Sequence, residues 1–230
     1  MVLNGGYILI IIVAVISMGV QYMFRNRFKK YAQTPLASDM SGAEVAQKML
    51  DDNGIRGVKV MSVQGTLTDH YNPSNKTVNL SENVYNGRNA AAVAVAAHEC
   101  GHALQDAKKY SFLGFRSAMV PILNITNRFT PFLLMIGIGL LFFANIPYVL
   151  AAGVLALAIS TIFSFITLPV EFDASRRALN WIKEENIVNP QEYSMAKSAL
   201  SWAAMTYVVA ALSSLATLLY YGSMLMDRRR

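Results

Sequence analysis

The chain has 230 residues, of which 54% are hydrophobic, and its mean hydropathy is +0.34. The apolar residues are concentrated in long blocks, which favours a membrane protein with one compact non-membrane unit over a soluble protein. The net charge of +6 is explained by lysines and arginines that flank these blocks. No nucleic-acid partner is therefore predicted, whereas the lipid bilayer is.

The first apolar block, Tyr7 to Phe24, contains no charged residue. At a rise of ~1.5 Å per residue it is about long enough to cross ~30 Å of hydrocarbon. A cleaved signal peptide is the alternative, but basic residues before the block and a small-x-small cleavage pattern before "RNRFKK" are both missing. Residues 1–24 are therefore predicted to form a retained transmembrane helix.

Residues 25–128 have the composition and sequence patterns that are typical of a small soluble α+β domain. The "SGAE" sequence at Ser41–Glu44 has the form of a capping box and predicts a short helix that Gly54 ends. "GVKVMSVQG" and "KTVNLS" predict short strands, and "DHYNPSN" predicts a turn-rich link between them. The alanine-rich "AAAVAVAAHECGHALQDAKKY" predicts a long helix.

Two further apolar blocks, within residues 129–170, predict a hairpin of spanning helices that turns near Asn145. Residues 171–202 are predicted to return to the side of the soluble domain. Residues 203–230 are predicted to form a last transmembrane helix and a basic tail. Small and hydroxyl residues in this helix favour close packing against other helices in lipid. They are Ser213, Ser214 and Thr217.

Basic residues predict the orientation of the chain. Most lie on one side if the second and third blocks form a hairpin: Arg25, Arg27, Lys29, Lys30, Arg116, Arg128, Arg176, Arg177 and Lys183. That side is predicted to be cytoplasmic, so the chain is a multi-pass cell-membrane protein with an outside N-terminus. Arg228, Arg229 and Arg230 oppose this prediction if the last block crosses completely.

The "HECGH" sequence places two histidines four residues apart on the predicted helix. His98 and His102 then lie ~40° apart around the axis and one turn apart along it, so both imidazoles can reach one ion. Glu99 lies beside such an ion, where a base for a metal-bound water is needed. Cys100 points ~200° away from His98 and is predicted to be a small buried thiol. The alternative is a helix that carries two histidines and no metal.

A third ligand is predicted in "LPVEFDASRRAL". Glu171 lies at the end of the third apolar block, and an even number of crossings returns it to the side of His98. A merely solvated carboxylate at a membrane helix end is the alternative for Glu171. His70 is a second candidate ligand, although its loop position favours an exposed or hydrogen-bonded histidine.

The combination of "HECGH", a hydrophobic hairpin and "EFDAS" resembles the bacterial membrane-bound neutral zinc metallopeptidases of the YugP type. More distantly it resembles the HtpX-like and CAAX prenyl-protease clan. The near resemblance covers almost the whole chain, including "LTDHYNP" and "AVAAHECGHALQ". The resemblance to the wider clan implies a zinc-binding glutamate in a Glu-x-x-Ala-Asp pattern, which Glu171 and Ala174 match. Ser175 replaces the aspartate of that pattern. Asp173 or another residue is therefore expected to give the hydrogen-bond support to the zinc ligands that this aspartate could give.

The prediction is thus a mainly α membrane protein with about four transmembrane helices and a small α+β, zincin-like cytoplasmic catalytic domain. Zn²⁺ is held by His98, His102 and Glu171, and Glu99 acts as general base in the hydrolysis of a peptide or protein substrate. A non-catalytic membrane scaffold, or a subunit of a larger membrane assembly, is the alternative.

Two details of the predicted catalytic domain remain open in the sequence. The oxyanion of the reaction needs a donor, for which Arg176, Arg177 and Tyr193 are available. Residues 76–80 precede the motif helix and form either an edge strand that pairs with an extended substrate or an ordinary strand of the sheet.

Overall fold

The computed structural model describes residues 5–227. In chain order the described elements are α1 (Gly5–Tyr31), α2 (Gly42–Asp52), β1 (Lys59–Val63), β2 (His70–Asn72), β3 (Thr77–Ser81), α3 (Glu82–Tyr85), α4 (Ala90–Ala107), α5 (Ser111–Phe143), α6 (Tyr148–Glu184) and α7 (Pro190–Asp227). By length and composition, α1, α5, α6 and α7 are able to cross a membrane. The predicted number of spanning helices is therefore confirmed. The arginines at 228–230 lie outside the described residues.

All four long helices extend beyond the apolar blocks that predicted them, and α1 continues past Phe24 to Tyr31. α5 begins at Ser111 rather than near Phe129, and it contains Pro121 and Pro131. α6 continues past Val170, and α7 begins at Pro190 rather than at residue 203. The extensions carry polar residues, which a search for apolar blocks leaves out. As a result, the proposed third ligand lies within a continuous helix.

The described chain divides into two compact units, and the first comprises the apolar parts of α1, α5, α6 and α7. A Cβ atom on Gly137 would lie 2.5 Å from the Leu150 nitrogen, so the backbones of α5 and α6 approach closely there. Two of the three predicted α7 hydroxyls contact another helix, whereas Thr217 donates to the Ser213 oxygen of α7 itself. Ser213 lies 3.2 Å from the Ser17 hydroxyl, and Ser214 lies 2.7 Å from the Thr161 hydroxyl.

The second unit comprises Gln21–Gly114 and Pro169–Met205. The capping box predicted for α2 is present, because Ser41 and Glu44 each accept a hydrogen bond from the backbone nitrogen of the other. Asn89 caps α4 by accepting a hydrogen bond from the Ala92 nitrogen. α4 packs against α2, and most of its side chains are buried. The helix of the HECGH motif is thus the centre of this unit's core.

The sheet of the second unit has the strand order β1-β3-β2. β3 pairs with β1 in parallel and with β2 antiparallel. Of the two alternatives for residues 76–80, the ordinary strand of the sheet is the one observed, because β3 is paired on both sides. The edge strands are β1 and β2, and β2 lies within the segment predicted to be only a turn-rich link. A strand of three residues between turn-forming residues is too short to give a recognisable alternation.

Candidate metal centre

His98 and His102 project from the same side of α4, as their spacing predicts. Their ring centroids lie 4.8 Å apart, and the rings are nearly perpendicular. The Nε2 atoms lie 3.2 Å (His98) and 3.7 Å (His102) from Oε2 of Glu171. Ligand atoms of all three residues lie within 4.8 Å of one another, so the group can hold a metal ion.

Glu171 reaches the histidines because α6 lies directly against α4. A Cβ atom on Gly101 would lie only 2.5 Å from the backbone oxygen of Ala174. No side chain other than that of glycine fits such a contact without a shift of one helix. The glycine inside HECGH therefore permits the close helix packing that buries Glu171 to 2% exposure.

The Nδ1 atom of His102 is held by a buried glutamine one turn further along α4. Gln105 Nε2 donates to the Val170 oxygen at 2.7 Å and to Asp173 Oδ2 at 3.0 Å. These two acceptors fix the orientation of the amide, so its Oε1 faces His102 Nδ1 at 3.0 Å as an acceptor. His102 therefore carries its proton on Nδ1 and presents the lone pair of Nε2 toward Glu171.

The Nδ1 atom of His98 has a different partner, a hydroxyl group on α6. The Oγ atom of Ser175 lies 3.1 Å from His98 Nδ1. A serine hydroxyl can accept a hydrogen bond from the Nδ1–H group, which leaves Nε2 of His98 available as a ligand atom. The residue that replaces the clan aspartate thus contacts one of the two histidines of the motif.

Glu99 lies beside this group, and its carboxylate contacts the edge strand β2. Glu99 Oε2 accepts a hydrogen bond of 3.0 Å from the backbone nitrogen of Tyr71 in β2. The pKa of Glu99 is raised to about 7, mainly by burial and also by the charges of Glu171 and Asp69, whereas His98 and the Tyr71 N–H lower it. A carboxyl group with a pKa near neutrality is suited to take up and release a proton.

Comparison with known proteins identifies the family. A sequence model of the family described as "Putative neutral zinc metallopeptidase" matches residues 6–226. The chain belongs to this family. It is also 40% identical over 214 residues to "Putative membrane protease YugP" of Bacillus subtilis (strain 168), a match that covers 93% of each chain. No solved structure matches the chain. The resemblance to YugP-type peptidases is confirmed, and the more distant clan resemblance stays a prediction.

The donor atoms present suit the metal of this zinc metallopeptidase family. Two imidazole nitrogens and one carboxylate oxygen form one of the ligand sets that proteins use for catalytic zinc, with a fourth position left for water or substrate. His70 is not part of the group. Its Nδ1 lies 2.8 Å from the Thr68 oxygen, and its Nε2 lies 3.3 Å from Asn79 Nδ2. The loop histidine is therefore a hydrogen-bonded residue of the sheet.

Among the described residues, Asp173, a predicted supporting residue, contacts the candidate metal centre through Gln105. Its other partners are Arg176 and Arg177, whose Nε lies 2.6 Å from Asp173 Oδ2. Arg176 and Arg177, two of the three candidate oxyanion donors, each form an ion pair with Asp173, and their role as donors stays a prediction. Tyr193 as oxyanion donor stays a prediction.

Gln105 and Tyr71 are the two site residues that the sequence analysis missed. Gln105 follows the second histidine by three residues, and this helical spacing is the sequence signal that could have revealed it. The hydroxyl of Tyr71 donates to Asp106 Oδ2 at 2.6 Å, and Lys76 also contacts that carboxylate. Tyr71 therefore attaches β2 to α4 at two points.

Cys100 is buried, as predicted, and its Sγ lies 3.5 Å from the Ala46 oxygen.

Proposed function

We propose that this chain is a membrane-embedded zinc metalloendopeptidase of the gluzincin type that hydrolyses peptide bonds of membrane or membrane-associated proteins. The observation that carries the proposal is the convergence of His98, His102 and Glu171 next to the buried carboxyl of Glu99. Family membership supports the same reaction class. The basic flanks of the helices support a cytoplasmic location of the site.

The proposed roles follow from the partners of each side chain. His98, His102 and Glu171 would hold the zinc ion, which would supply polarisation of a peptide carbonyl and acidification of water. Glu99 removes the proton of the attacking water and then delivers it to the leaving amine. A pKa near 7 in the metal-free site lets the same carboxyl act in both directions. Gln105 and Ser175 keep the two Nε2 atoms directed at the ligand position.

The edge strand β2 supports a peptide as the substrate. Because the Tyr71 nitrogen donates to Glu99, the Tyr71 N–H points away from β3. In an antiparallel strand the carbonyl of the same residue points to the same side. The Tyr71 oxygen therefore offers an acceptor to the backbone N–H of an extended peptide beside Glu99, as in recognition by strand addition.

Zinc content and hydrolysis together test the proposal. We expect about one zinc per purified chain, because the ligand set is that of a single catalytic ion. Replacing His98 or His102 by alanine should lower this content. Glu99→Gln should retain zinc but lose hydrolysis of fluorescent casein in detergent by roughly 10²–10⁴-fold, as expected for loss of a general base.

Glu82→Gln is the matched control, because Glu82 is an exposed glutamate of α3 outside the group. Its zinc content and casein hydrolysis should equal those of the parent. Absence of zinc from metal-replete protein would favour the non-catalytic scaffold instead. If the Glu99→Gln chain cleaved casein as fast as the parent, Glu99 would not be the base.

A further inference from the structure

A groove outside the metal centre is formed by the end of α1, the loop between β1 and β2, and the junction of β3 with α3. It encloses about 290 Å³. Phe24, Arg25, Phe28 and Lys29 line it from α1, and Leu67 lines it from the loop between β1 and β2. The helix residues fall on one face, because they are spaced by one, four and five positions. The aromatic rings of Phe24 and Phe28 lie 5.9 Å apart and make one wall apolar.

The charges of the groove are unbalanced. Arg25 and Lys29 are exposed, and within residues 5–227 neither forms an ion pair with a carboxylate. The carboxylate of Asp69 also lines the groove, but it accepts hydrogen bonds from the Ser81 nitrogen at 2.7 Å and the Ser81 hydroxyl at 3.0 Å. The groove thus combines two available cations with an apolar wall.

The place of these residues on α1 indicates where the groove lies with respect to lipid. Arg25 and Lys29 directly follow the uncharged residues 7–24 of a helix that is able to span a membrane. Basic residues at this point of a spanning helix lie at the level of the lipid headgroups. Leu67 adds an apolar side chain there that is 60% exposed, although a leucine gains nothing from exposure to water.

We propose that this groove binds one anionic phospholipid. Arg25 and Lys29 bind its phosphate, and Phe24, Phe28 and Leu67 contact the first part of an acyl chain. A soluble phosphate would leave the apolar wall in contact with water, and a zwitterionic lipid would leave the excess positive charge uncompensated. The bound lipid stabilises the loop that leads into β2, the strand that contacts Glu99.

The test measures lipid binding to the purified full-length chain in dodecyl maltoside. Phosphatidylglycerol and phosphatidylcholine, each with a fluorescent acyl chain, are titrated by anisotropy. The parent should bind phosphatidylglycerol saturably and roughly tenfold more tightly, since each basic residue near the surface favours an anionic lipid. The titration requires neither zinc nor hydrolysis, so its outcome is independent of the proposed peptidase activity.

Two adjacent lysines provide a matched pair of variants. Lys29→Gln should weaken phosphatidylglycerol binding about fivefold, because it removes one phosphate ligand. Lys30→Gln removes the same charge from the next position, which does not line the groove, and should bind like the parent.

A third variant tests the apolar wall. Leu67→Asn should weaken binding of both lipids, and asparagine tolerates the positive φ of 58° at this position, so folding is preserved.

Three results would overturn the proposal. Equal affinities of the parent for the two lipids would show that the groove does not select charge. Equal losses for Lys29→Gln and Lys30→Gln would indicate general attraction by the basic helix end. Competition by soluble glycerol phosphate as strong as that by phosphatidylglycerol would identify a site for free phosphate rather than lipid.

Discussion

Gln105 is the residue on which the orientation of His102 depends. It is fully buried, and its single side chain contacts His102, the Val170 oxygen and Asp173. The amide oxygen accepts a hydrogen bond from His102, and the amide nitrogen donates to two acceptors on α6. The side chain therefore orients Nε2 of His102 and links α4 to α6. Ser175 acts on His98 alone, through one hydroxyl.

We expect Gln105→Leu to lower the zinc affinity 10–100-fold, the usual effect of removing a hydrogen-bond partner of a metal-binding histidine. The measurement is zinc competition against a chelator, with circular dichroism of the metal-free chain to monitor folding. Gln33→Leu, at an exposed glutamine without a side-chain hydrogen bond in the described chain, is the control. Unchanged affinity in Gln105→Leu would mean that Gln105 only fills space.

Ser175 allows a comparison between a neutral and an acidic partner of histidine. Ser175→Ala should weaken zinc binding, because His98 Nδ1 loses its hydroxyl partner. Ser175→Asp should bind zinc at least as tightly as the parent, because a carboxylate accepts a stronger hydrogen bond from the same Nδ1–H group. The same chelator competition measures both variants. If the alanine and aspartate variants lost affinity equally, the hydroxyl would not be orienting His98.

The histidine pair was predictable from the sequence because helical spacing is a local property. The role of Glu171 was also open to prediction, because the predicted hairpin returns this residue to the side of the membrane that carries His98. The bonds of Gln105 and Ser175 were not, because they depend on the register between α4 and α6, and the contact between Gly101 and Ala174 sets that register. No pattern within either helix contains this information.

At the scale of elements, the contact between α4 and α6 is the feature most sensitive to a small substitution. Gly101→Ala would place its Cβ 2.5 Å from the Ala174 oxygen. Alanine favours an isolated helix, but forcing a methyl group into this contact should cost roughly 1–3 kcal/mol of unfolding free energy. Separation of the helices should also lower the zinc content.

Thermal unfolding and zinc analysis of the same preparations check this expectation. Gly57→Ala is the control, because a Cβ atom there meets nothing within 4 Å and the residue has no positive φ. Its unfolding temperature should match that of the parent. A Gly101→Ala chain that unfolded at a higher temperature than the parent would show that helix propensity outweighs the close contact.

β2 shows why short elements escape prediction. Tyr71 pairs with Val78 on one side and donates to Glu99 on the other, so tertiary contacts define the strand. Its local sequence is dominated by turn-forming residues, and the prediction of a turn-rich link followed from them. The four long apolar helices, in contrast, were predicted from composition, and only their ends were misplaced, because polar extensions continue the same backbone pattern.

At the scale of the whole chain, the orientation in the membrane is testable with one reactive thiol. The single cysteine, Cys100, is buried, and burial raises its pKa, so it should not react with maleimide in the folded chain. Cysteine can therefore be introduced at exposed Gln47 in the second unit or at exposed Ala144 in the turn after α5.

With the site on the cytoplasmic side, Ala144→Cys should react with a membrane-impermeant maleimide in intact cells, and Gln47→Cys only after lysis. The physical reason is the excess of lysine and arginine on the predicted inner side. The parent chain, labelled under both conditions, is the control for Cys100. The opposite labelling pattern would place Glu99 and the zinc ligands outside the cell.

The amide of Gln105 also has an evolutionary consequence. The amide donates hydrogen bonds to a carbonyl and a carboxylate of another helix. The residues at positions 105 and 173 must therefore remain complementary as donor and acceptor. An apolar replacement of Gln105 removes a donor from the Val170 oxygen and one from the buried Asp173 carboxylate, which keeps Arg176 and Arg177 as partners. Substitutions at position 105 within the family are therefore expected to be accompanied by substitutions at position 173.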